Sequence, residues 1–171
     1  MPPLSALAGT VANMAEISYI VGDATEPQGT GPRVIAHVCN DRGGWGKGFV
    51  LALSAKWSGP EADFRAWYRD RATSGFALGA VQFARVGADL WVANMIGQHD
   101  DRPGREGPPV RYAAIGTALA AVGGHALELG ASVHMPRIGC GLAGGSWDRI
   151  EPMVKEHLAD RGIAVTVYDL A

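Results

Sequence analysis

The sequence predicts an α/β protein with three α/β/α layers, in which helices cover both faces of a central mixed β-sheet. Strand-like and helix-like segments alternate along most of the chain, which is typical of parallel strands joined by helices. One pair of strand-like segments, residues 80–86 and 90–96, is separated by a turn at residues 87–89. This pair predicts a hairpin, and therefore an antiparallel pairing within the sheet.

The elements follow from apolar patterning. Short, largely apolar segments predict strands, and apolar residues at helical spacing predict helices. Pro60 and Glu61 mark the first turn of one helix, and residues 123–124, both glycine, should weaken the middle of another. The predicted strands are residues 17–21, 33–40, 80–86, 90–96, 132–136 and 163–168, and the predicted helices are residues 49–57, 60–72, 110–129 and 147–160.

One domain is expected. At 171 residues the chain is long enough for a single domain with a proper core, and residues 15–171 show no internal repeat and no linker. Residues 1–14 are small and apolar but lack the basic start of a secretory signal, and Met14 directly precedes the first strand-like segment. We expect residues 1–14 to be a dispensable N-terminal extension.

Composition and charge exclude several classes of function. The net charge of −2 provides no general basic field for extended duplex nucleic acid or an anionic membrane. No apolar run approaches the roughly 20 residues that span a bilayer. The two cysteines, Cys39 and Cys140, do not form a disulfide framework, which favours a reduced interior. Together with the five histidines, they form no metal-ligand pattern. We therefore expect a cytoplasmic monomer with no metal and no cofactor.

Two glycine-rich loops indicate a phosphate ligand. Residues 134–145 (HMPRIGCGLAGG) leave a strand and lead into a helix, and residues 41–48 (DRGGWGKG) follow another buried strand. Glycines let the backbone approach an anion, and a helix start adds unpaired N–H groups and partial positive charge. Two such loops suggest a ligand with two adjacent phosphates.

Neither loop belongs to a common nucleotide-binding motif. Residues 139–144 match GxGxxG, but only one strand follows them, so the dinucleotide-binding interpretation fails. Residues 41–48 do not form a P-loop, because a P-loop would have Gly at position 41 and Ser or Thr at position 48, where this chain has Asp41 and Gly48.

Three further motifs carry a family resemblance. Residues 21–25 (VGDAT), residues 37–40 (HVCN) with 44–48 (GWGKG), and residues 135–142 (MPRIGCGL) occur in this order. Together they resemble the macrodomain family, and within it the subgroup of the terminal ADP-ribose protein glycohydrolase. The resemblance runs from about residue 15 to residue 170 and implies a macrodomain that binds ADP-ribose.

The resemblance also implies which residues contact the ligand. Asp23 would accept a hydrogen bond from the adenine amino group, Asn40 would lie near the distal ribose, and Tyr168 would border the adenine. Backbone N–H groups of both glycine-rich loops would bind the diphosphate. The expected ADP-ribose contacts are Asp23, Ala24, Asn40, Trp45, Gly46, Lys47, Gly48, Phe49, Ile138, Gly139, Cys140, Gly141, Leu142, Ala143 and Tyr168.

Plainer structural roles stay open for several of these residues. Asp23 is also typical of a turn or a helix cap, and Asn40 of a loop cap. Trp45 either covers the distal ribose or packs the loop, and Tyr168 is equally suited to the core. Cys140 lies before a helix, where thiols are acidified, but a loop that binds phosphate through its backbone does not need a nucleophile.

The catalytic chemistry is where the chain departs from the related glycohydrolases. They use a lysine near the end of the second hairpin strand and an aspartate directly after Gly-Cys-Gly-Leu. Here residues 97–99 (GQH) and Ala143 occupy these positions. The chain is either an ADP-ribosyl glycohydrolase without this pair or a non-catalytic ADP-ribose reader.

We favour the hydrolase interpretation. A phosphate oxygen of the ligand would activate water that Asn40, Gln98 or His99 positions, and histidine transfers protons near neutrality. The expected substrates are proteins or nucleic-acid ends that carry ADP-ribose through an acyl ester or a phosphate, since these are good leaving groups.

Overall fold

The computed structural model describes residues 15–171, so the predicted extension lies outside the described residues. The six strands form one mixed sheet with helices on both faces, which confirms the predicted three-layer α/β/α fold. No helix within residues 15–171 has the length and apolarity needed to cross a membrane.

All predicted strands and helices are present, with small shifts at their ends. Strand β4 extends beyond its predicted end to Gln98, and the last helix is followed by a short 3₁₀ helix, Ala159–Arg161. The strands are β1 (Ile17–Val21), β2 (Arg33–Asn40), β3 (Val81–Gly87), β4 (Leu90–Gln98), β5 (Ser132–Met135) and β6 (Val165–Asp169). The helices are α1 (Phe49–Lys56), α2 (Gly59–Arg69), α3 (Tyr112–Leu129) and α4 (Trp147–His157).

The strand order is β1-β6-β5-β2-β4-β3. Only the β3–β4 pair is antiparallel, which confirms the predicted hairpin. Ile35 of the central strand β2 pairs with Val92 of β4 and with His134 of β5. The carboxyl ends of β2, β4 and β5 therefore meet at one edge of the sheet, where ligands bind in parallel α/β sheets.

Strand β2 is buried on both sides. Val34 and Ala36 belong to the core beneath α3 and α4, whereas Ile35 and Cys39 belong to the core beneath α1 and α2. Successive side chains of a strand point to opposite faces, so one apolar strand serves both cores.

The glycine pair in α3 does not interrupt the helix. Gly123 is buried where α3 packs against the end of α4, and a Cβ at this position would collide with the backbone oxygen of His157. The weakening of the helix stays a prediction, and the absent side chain of Gly123 permits close helix packing.

Candidate functional site

A cavity of about 400 Å³ lies at the carboxyl edge of the sheet, between the two glycine-rich loops. We call it the central cavity. Its wall consists of His37, Val38, Cys39, Asn40, Gly44, Trp45, Gly46, Lys47, Gly48, Phe49, Val50, Gln98, Asp101, Pro136, Arg137, Ile138, Gly139, Gly141, Leu142 and Ala143.

Asn40 shapes the first loop. Its Oδ1 accepts hydrogen bonds from the N–H groups of Arg42 at 2.9 Å and Gly44 at 3.0 Å, and its Nδ2 donates to the Gly44 carbonyl at 3.1 Å. A Cβ on Gly44 would lie 2.9 Å from Asn40 Nδ2, so this turn requires glycine. The loop-capping role is therefore present, while Asn40 also lines the cavity.

The second loop closes on its own backbone. The Gly145 N–H donates to the Gly139 carbonyl at 2.7 Å, and the Gly144 N–H donates to the Gly141 carbonyl at 3.0 Å. Gly139 has a φ of 72°, in the left-handed region, and its Cα faces Ile115 and Ile150. This packing fixes the loop above α3 and α4.

Both loops present unpaired backbone donors. Within residues 15–171, no acceptor bonds to the loop N–H groups of Gly46, Lys47, Gly48, Gly141, Leu142 or Ala143. All six residues line the central cavity. Backbone N–H groups gathered in this way form an anion-binding concavity.

Most predicted ligand contacts are brought together by the fold. Asn40, Trp45, residues 46–49, Ile138, Gly139 and residues 141–143 all line the cavity, together with the predicted catalytic residue Gln98. The predicted residues outside its wall are Asp23, Ala24, His99, Cys140 and Tyr168.

Asp23 follows β1 and forms a turn. Its Oδ1 accepts hydrogen bonds from the Thr25 hydroxyl at 2.7 Å and the Thr25 N–H at 2.8 Å, and these bonds lower the pKa of the Asp23 carboxyl. Its second carboxylate oxygen has no hydrogen-bond partner within the described range. The structure therefore shows the turn role and leaves one acceptor available.

Tyr168 is buried and anchors the loop after β1. Its hydroxyl accepts a hydrogen bond from the Gln28 N–H at 2.9 Å and bonds to His134 Nδ1 at 2.6 Å. Burial raises the pKa of Tyr168. These contacts give it the core role that the sequence left open.

Trp45 packs the first loop onto the core. It is 3 % exposed, its Nε1 donates to Ser54 Oγ at 2.7 Å, and its ring contacts His37 and Phe64 with centroids 5.4 Å and 5.2 Å away. The packing role is therefore present, and one part of the side chain still borders the cavity.

Asp41 organises the turn after β4. Its Oδ2 bonds to His99 Nδ1 at 2.7 Å, and its Oδ1 accepts from the Asp100 N–H at 2.9 Å. Gln98 Nε2 donates to the Asp100 carbonyl at 2.9 Å, whereas Gln98 Oε1 has no partner within the part of the chain described here. The fold therefore gives Gln98 a free acceptor at the cavity and turns His99 toward Asp41.

The resemblance places the lysine of the related glycohydrolases within residues 97–99 and their aspartate at Ala143, and of these residues Gly97 and Ala143 carry no functional group. A Cβ on Gly97 would lie 2.8 Å from Ile115 Cγ1 and 3.0 Å from Val38 Cγ1, so this position has no room for a side chain. Ala143 lines the cavity, and its carbonyl accepts from the Val110 N–H at 2.9 Å.

Four charged or titratable wall residues were absent from the predicted contacts: His37, Cys39, Asp101 and Arg137. Arg137 donates two hydrogen bonds to Asp169, at 2.6 Å and 2.9 Å, so its charge is compensated. Burial lowers the pKa of His37 to about 4. Arg137 lies within the motif at residues 135–142, and His37 and Cys39 lie within the motif at residues 37–40, whereas no sequence signal placed Asp101 at the cavity.

Cys140 has no features of a nucleophile. Its Sγ donates to the Ile138 carbonyl at 3.4 Å, and burial raises the pKa of the thiol. Because a thiolate rather than a thiol is the nucleophile, the environment disfavours this role. No cluster of three metal-ligating side chains occurs within residues 15–171.

No protein-family model matches the chain. Over 159 residues it is 33% identical to chromodomain-helicase-DNA-binding protein 1-like of Mus musculus, covering 89% of this chain and 17% of that relative. The chain thus spans less than a fifth of the length of this curated relative.

Solved structures match the fold closely. A macrodomain protein from Streptomyces coelicolor is 61% identical, with a TM-score of 0.82 over 91% of this chain and 100% of that one. Thermosipho africanus DarTG in complex with ADP-ribose has a TM-score of 0.72 at 17% identity, over 91% of this chain and 42% of that one. At that identity the second likeness concerns the fold alone.

The fold is an α/β domain with a cavity at the carboxyl edge of its sheet, the edge at which ligands bind in parallel α/β sheets. Because the Streptomyces coelicolor macrodomain protein is matched over its whole length at 61% identity, the chain belongs to the macrodomain family.

Proposed function

We propose that this chain binds ADP-ribose in the central cavity and hydrolyses the bond between ADP-ribose and a carboxylate or phosphate of a modified target. The observation that carries this proposal is the pair of facing loops with unpaired N–H groups, residues 46–48 and 141–143. Two sets of donors on opposite walls suit two adjacent phosphates. The cavity volume, about 400 Å³, is within the usual range for small-molecule sites.

Backbone donors and one lysine would balance the charge of the diphosphate. Lys47 has no carboxylate partner within residues 15–171, whereas the charge of Arg137 is compensated by Asp169. Gly48 also precedes the first turn of α1, whose partial positive charge favours an anion.

The strand order supports one orientation of the ligand. Asp23 follows β1 at one side of the edge, and Gln98 ends β4 toward the other side, with the glycine-rich loops between them. The adenine would lie toward Asp23, whose free carboxylate oxygen accepts a hydrogen bond from the amino group. The distal ribose would lie toward Asn40 and Gln98. The ADP-ribose complex of Thermosipho africanus DarTG, which shares this fold, supports the ligand class.

The hydrolysis needs little help from the protein. The bond from the anomeric carbon to the leaving carboxylate or phosphate breaks, its electron pair departs with the leaving group, and water adds to the oxocarbenium-like carbon. Gln98 Oε1 would accept a hydrogen bond from this water, and a ligand phosphate oxygen would take its proton. Asp101, which the sequence did not suggest, is a second proton acceptor on the wall.

A reader module is the second candidate. Residues 97–99 (GQH) and Ala143 occupy the positions at which the related glycohydrolases carry a lysine and an aspartate. This favours ADP-ribose recognition without turnover.

A substrate panel separates the two functions. Wild-type protein and Gln98→Ala are incubated with ester-linked, arginine-linked, serine-linked and nucleic-acid-linked ADP-ribose, and released ADP-ribose is measured. We expect release from the ester-linked substrate and from the nucleic-acid-linked substrate, in which a phosphate carries the ADP-ribose. Gln98→Ala should release ADP-ribose at least about tenfold more slowly and retain its affinity for ADP-ribose.

His99→Ala is the matched control at the neighbouring position outside the cavity wall, and it should retain more activity than Gln98→Ala. Tight ADP-ribose binding with no release from any substrate would support the reader function instead.

A further inference from the structure

A second cavity of about 530 Å³ opens beside the central cavity. We call it the side cavity. It is lined by Glu106, Pro108, Val110, Arg111, Tyr112, Ala113, Gly144 and Arg149.

The two cavities share a thin wall. Ala143 lines the central cavity, and the next residue, Gly144, lines the side cavity. The hydrogen bond from the Val110 N–H to the Ala143 carbonyl, at 2.9 Å, holds this wall in place. The two cavities are therefore lined by adjacent residues of the second glycine-rich loop.

The side cavity lies on the β4 side of the central cavity. Gln98 at the end of β4 forms a bridge with Val110, which lines the side cavity. In the orientation proposed above, this is the side of the distal ribose, where the leaving group is attached. The leaving group would therefore face the side cavity.

Arg149 provides the side cavity with a positive charge. The guanidinium carbon lies 3.7 Å from the ring centroid of Tyr112, whose hydroxyl accepts a hydrogen bond from the Ser146 N–H at 3.0 Å. Within residues 15–171 the guanidinium makes no hydrogen bond and no ion pair, so its donors are oriented and free.

The second arginine of the side cavity is already occupied. Arg111 Nη1 donates to the carbonyls of Pro108, Pro109 and Val110, and Nη2 pairs with Glu106 at 3.2 Å. Arg111 therefore frames the cavity while its charge is compensated, and the charge of Arg149 remains available for an anion.

We propose that the side cavity binds a phosphodiester of the leaving group through Arg149, so that the preferred substrate is a nucleic-acid strand with ADP-ribose on its terminal phosphate. This inference rests on the proposed function. A strand carries a phosphodiester one nucleotide from the linkage whatever its sequence, whereas a peptide brings an anion only at particular sequences. The Arg149 guanidinium is present whatever the substrate sequence, so a phosphodiester that every strand carries matches it better than a peptide anion that occurs only at particular sequences.

Binding of intact conjugates tests the inference. Two ligands carry the same phosphate-linked ADP-ribose, one on a single-stranded oligonucleotide and one on a mononucleotide that lacks the neighbouring phosphodiester. Affinities are measured in the Gln98→Ala background, where release is expected to be at least about tenfold slower, and at times too short for detectable release of ADP-ribose. We expect the oligonucleotide conjugate to bind about tenfold tighter than the mononucleotide conjugate, and Arg149→Gln to remove this difference.

Arg85→Gln is the matched control. Arg85 also lies over an aromatic ring, that of Trp91 at 5.2 Å, but it is in the β3–β4 hairpin at the opposite end of β4. This variant has the same change of charge and should retain the tenfold preference. Melting temperatures of both variants confirm that the fold is intact.

The outcomes separate this inference from the proposed function. Equal affinity of the two conjugates, or an equal loss for both in Arg149→Gln, overturns the inference while leaving ADP-ribose hydrolysis standing. An Arg149-dependent preference for an acidic ADP-ribosylated peptide overturns the nucleic-acid assignment. An Arg149-dependent preference without release by wild-type protein supports the inference and contradicts the hydrolase. Failure to bind free ADP-ribose contradicts both.

Discussion

Gly48 and Leu142 come close together at the central cavity, and a Cβ on Gly48 would lie 3.4 Å from Cδ1 of Leu142. The two residues belong to different glycine-rich loops, far apart in the sequence. Their proximity means that the loops line one cavity rather than two separate anion sites. The proposed diphosphate site depends on this relationship.

Gly141→Glu should abolish ADP-ribose binding without unfolding the protein. A Cβ on Gly141 would meet no heavy atom within 4 Å beyond its chain neighbours, so the side chain fits. The new carboxylate would occupy the proposed phosphate site, and calorimetry should show at least about a hundredfold loss of affinity. Gly124→Glu in α3, also in open space, is the matched control and should bind normally. Normal affinity of Gly141→Glu would remove the second loop from the site.

Asp23→Ala should weaken ADP-ribose binding through the adenine. Loss of a hydrogen bond that a carboxylate accepts costs about 1–3 kcal/mol, which corresponds to a Kd increase of roughly 5- to 150-fold. The comparison ligand is ribose 5-diphosphate, which lacks the adenosine. Its affinity should be the same in wild-type protein and Asp23→Ala, and an equal loss for both ligands would show that the Thr25 turn, rather than adenine recognition, is affected.

Gly97→Ala should destabilise the fold. The added Cβ would lie 2.8 Å from Ile115 Cγ1, between the sheet and α3, and overpacking of this kind typically costs about 1–3 kcal/mol. We expect the melting temperature to fall by about 2–12 °C. Gly59→Ala, in open space at the start of α2, should leave it unchanged or slightly higher. An unchanged melting temperature in Gly97→Ala would show that the β4 end has room for a side chain.

Two histidines should make stability fall in acid. Burial lowers the pKa of His37 and of His134 to about 4, below their ordinary value of 6.5. Between these values the unfolded chain binds protons that the folded protein does not. The free energy of unfolding should therefore be fully retained above pH 6.5 and decrease as the pH falls toward 4, by as much as about 3 kcal/mol for each histidine.

Chemical denaturation at several pH values measures this effect. His134→Gln should reduce the slope between pH 6.5 and 4, whatever its effect at neutral pH. A free energy of unfolding that stays level over this range would contradict neutral burial of both histidines.

The sequence predicted the elements and both loops because these features are local. A short, largely apolar segment identified β2, the short turn identified the hairpin, and glycine density identified residues 41–48 and 139–145. It could not assign roles to Trp45 and Tyr168, because an aromatic side chain near a cavity has the same sequence signal as one in the core. Their bonds to Ser54 and to Gln28 appear only in the fold.

By itself, the sequence determined a three-layer α/β fold and two glycine-rich loops, since backbone preferences and apolar periodicity act over a few neighbouring residues. Only the tertiary structure decided that these loops face each other, that Gly97 has no room for a side chain, and that Arg149 lies unpaired over Tyr112 within the described residues. Each of these is a relationship between segments distant in the chain. The physical reason is that sheet order and helix packing set such distances, and no local pattern encodes them.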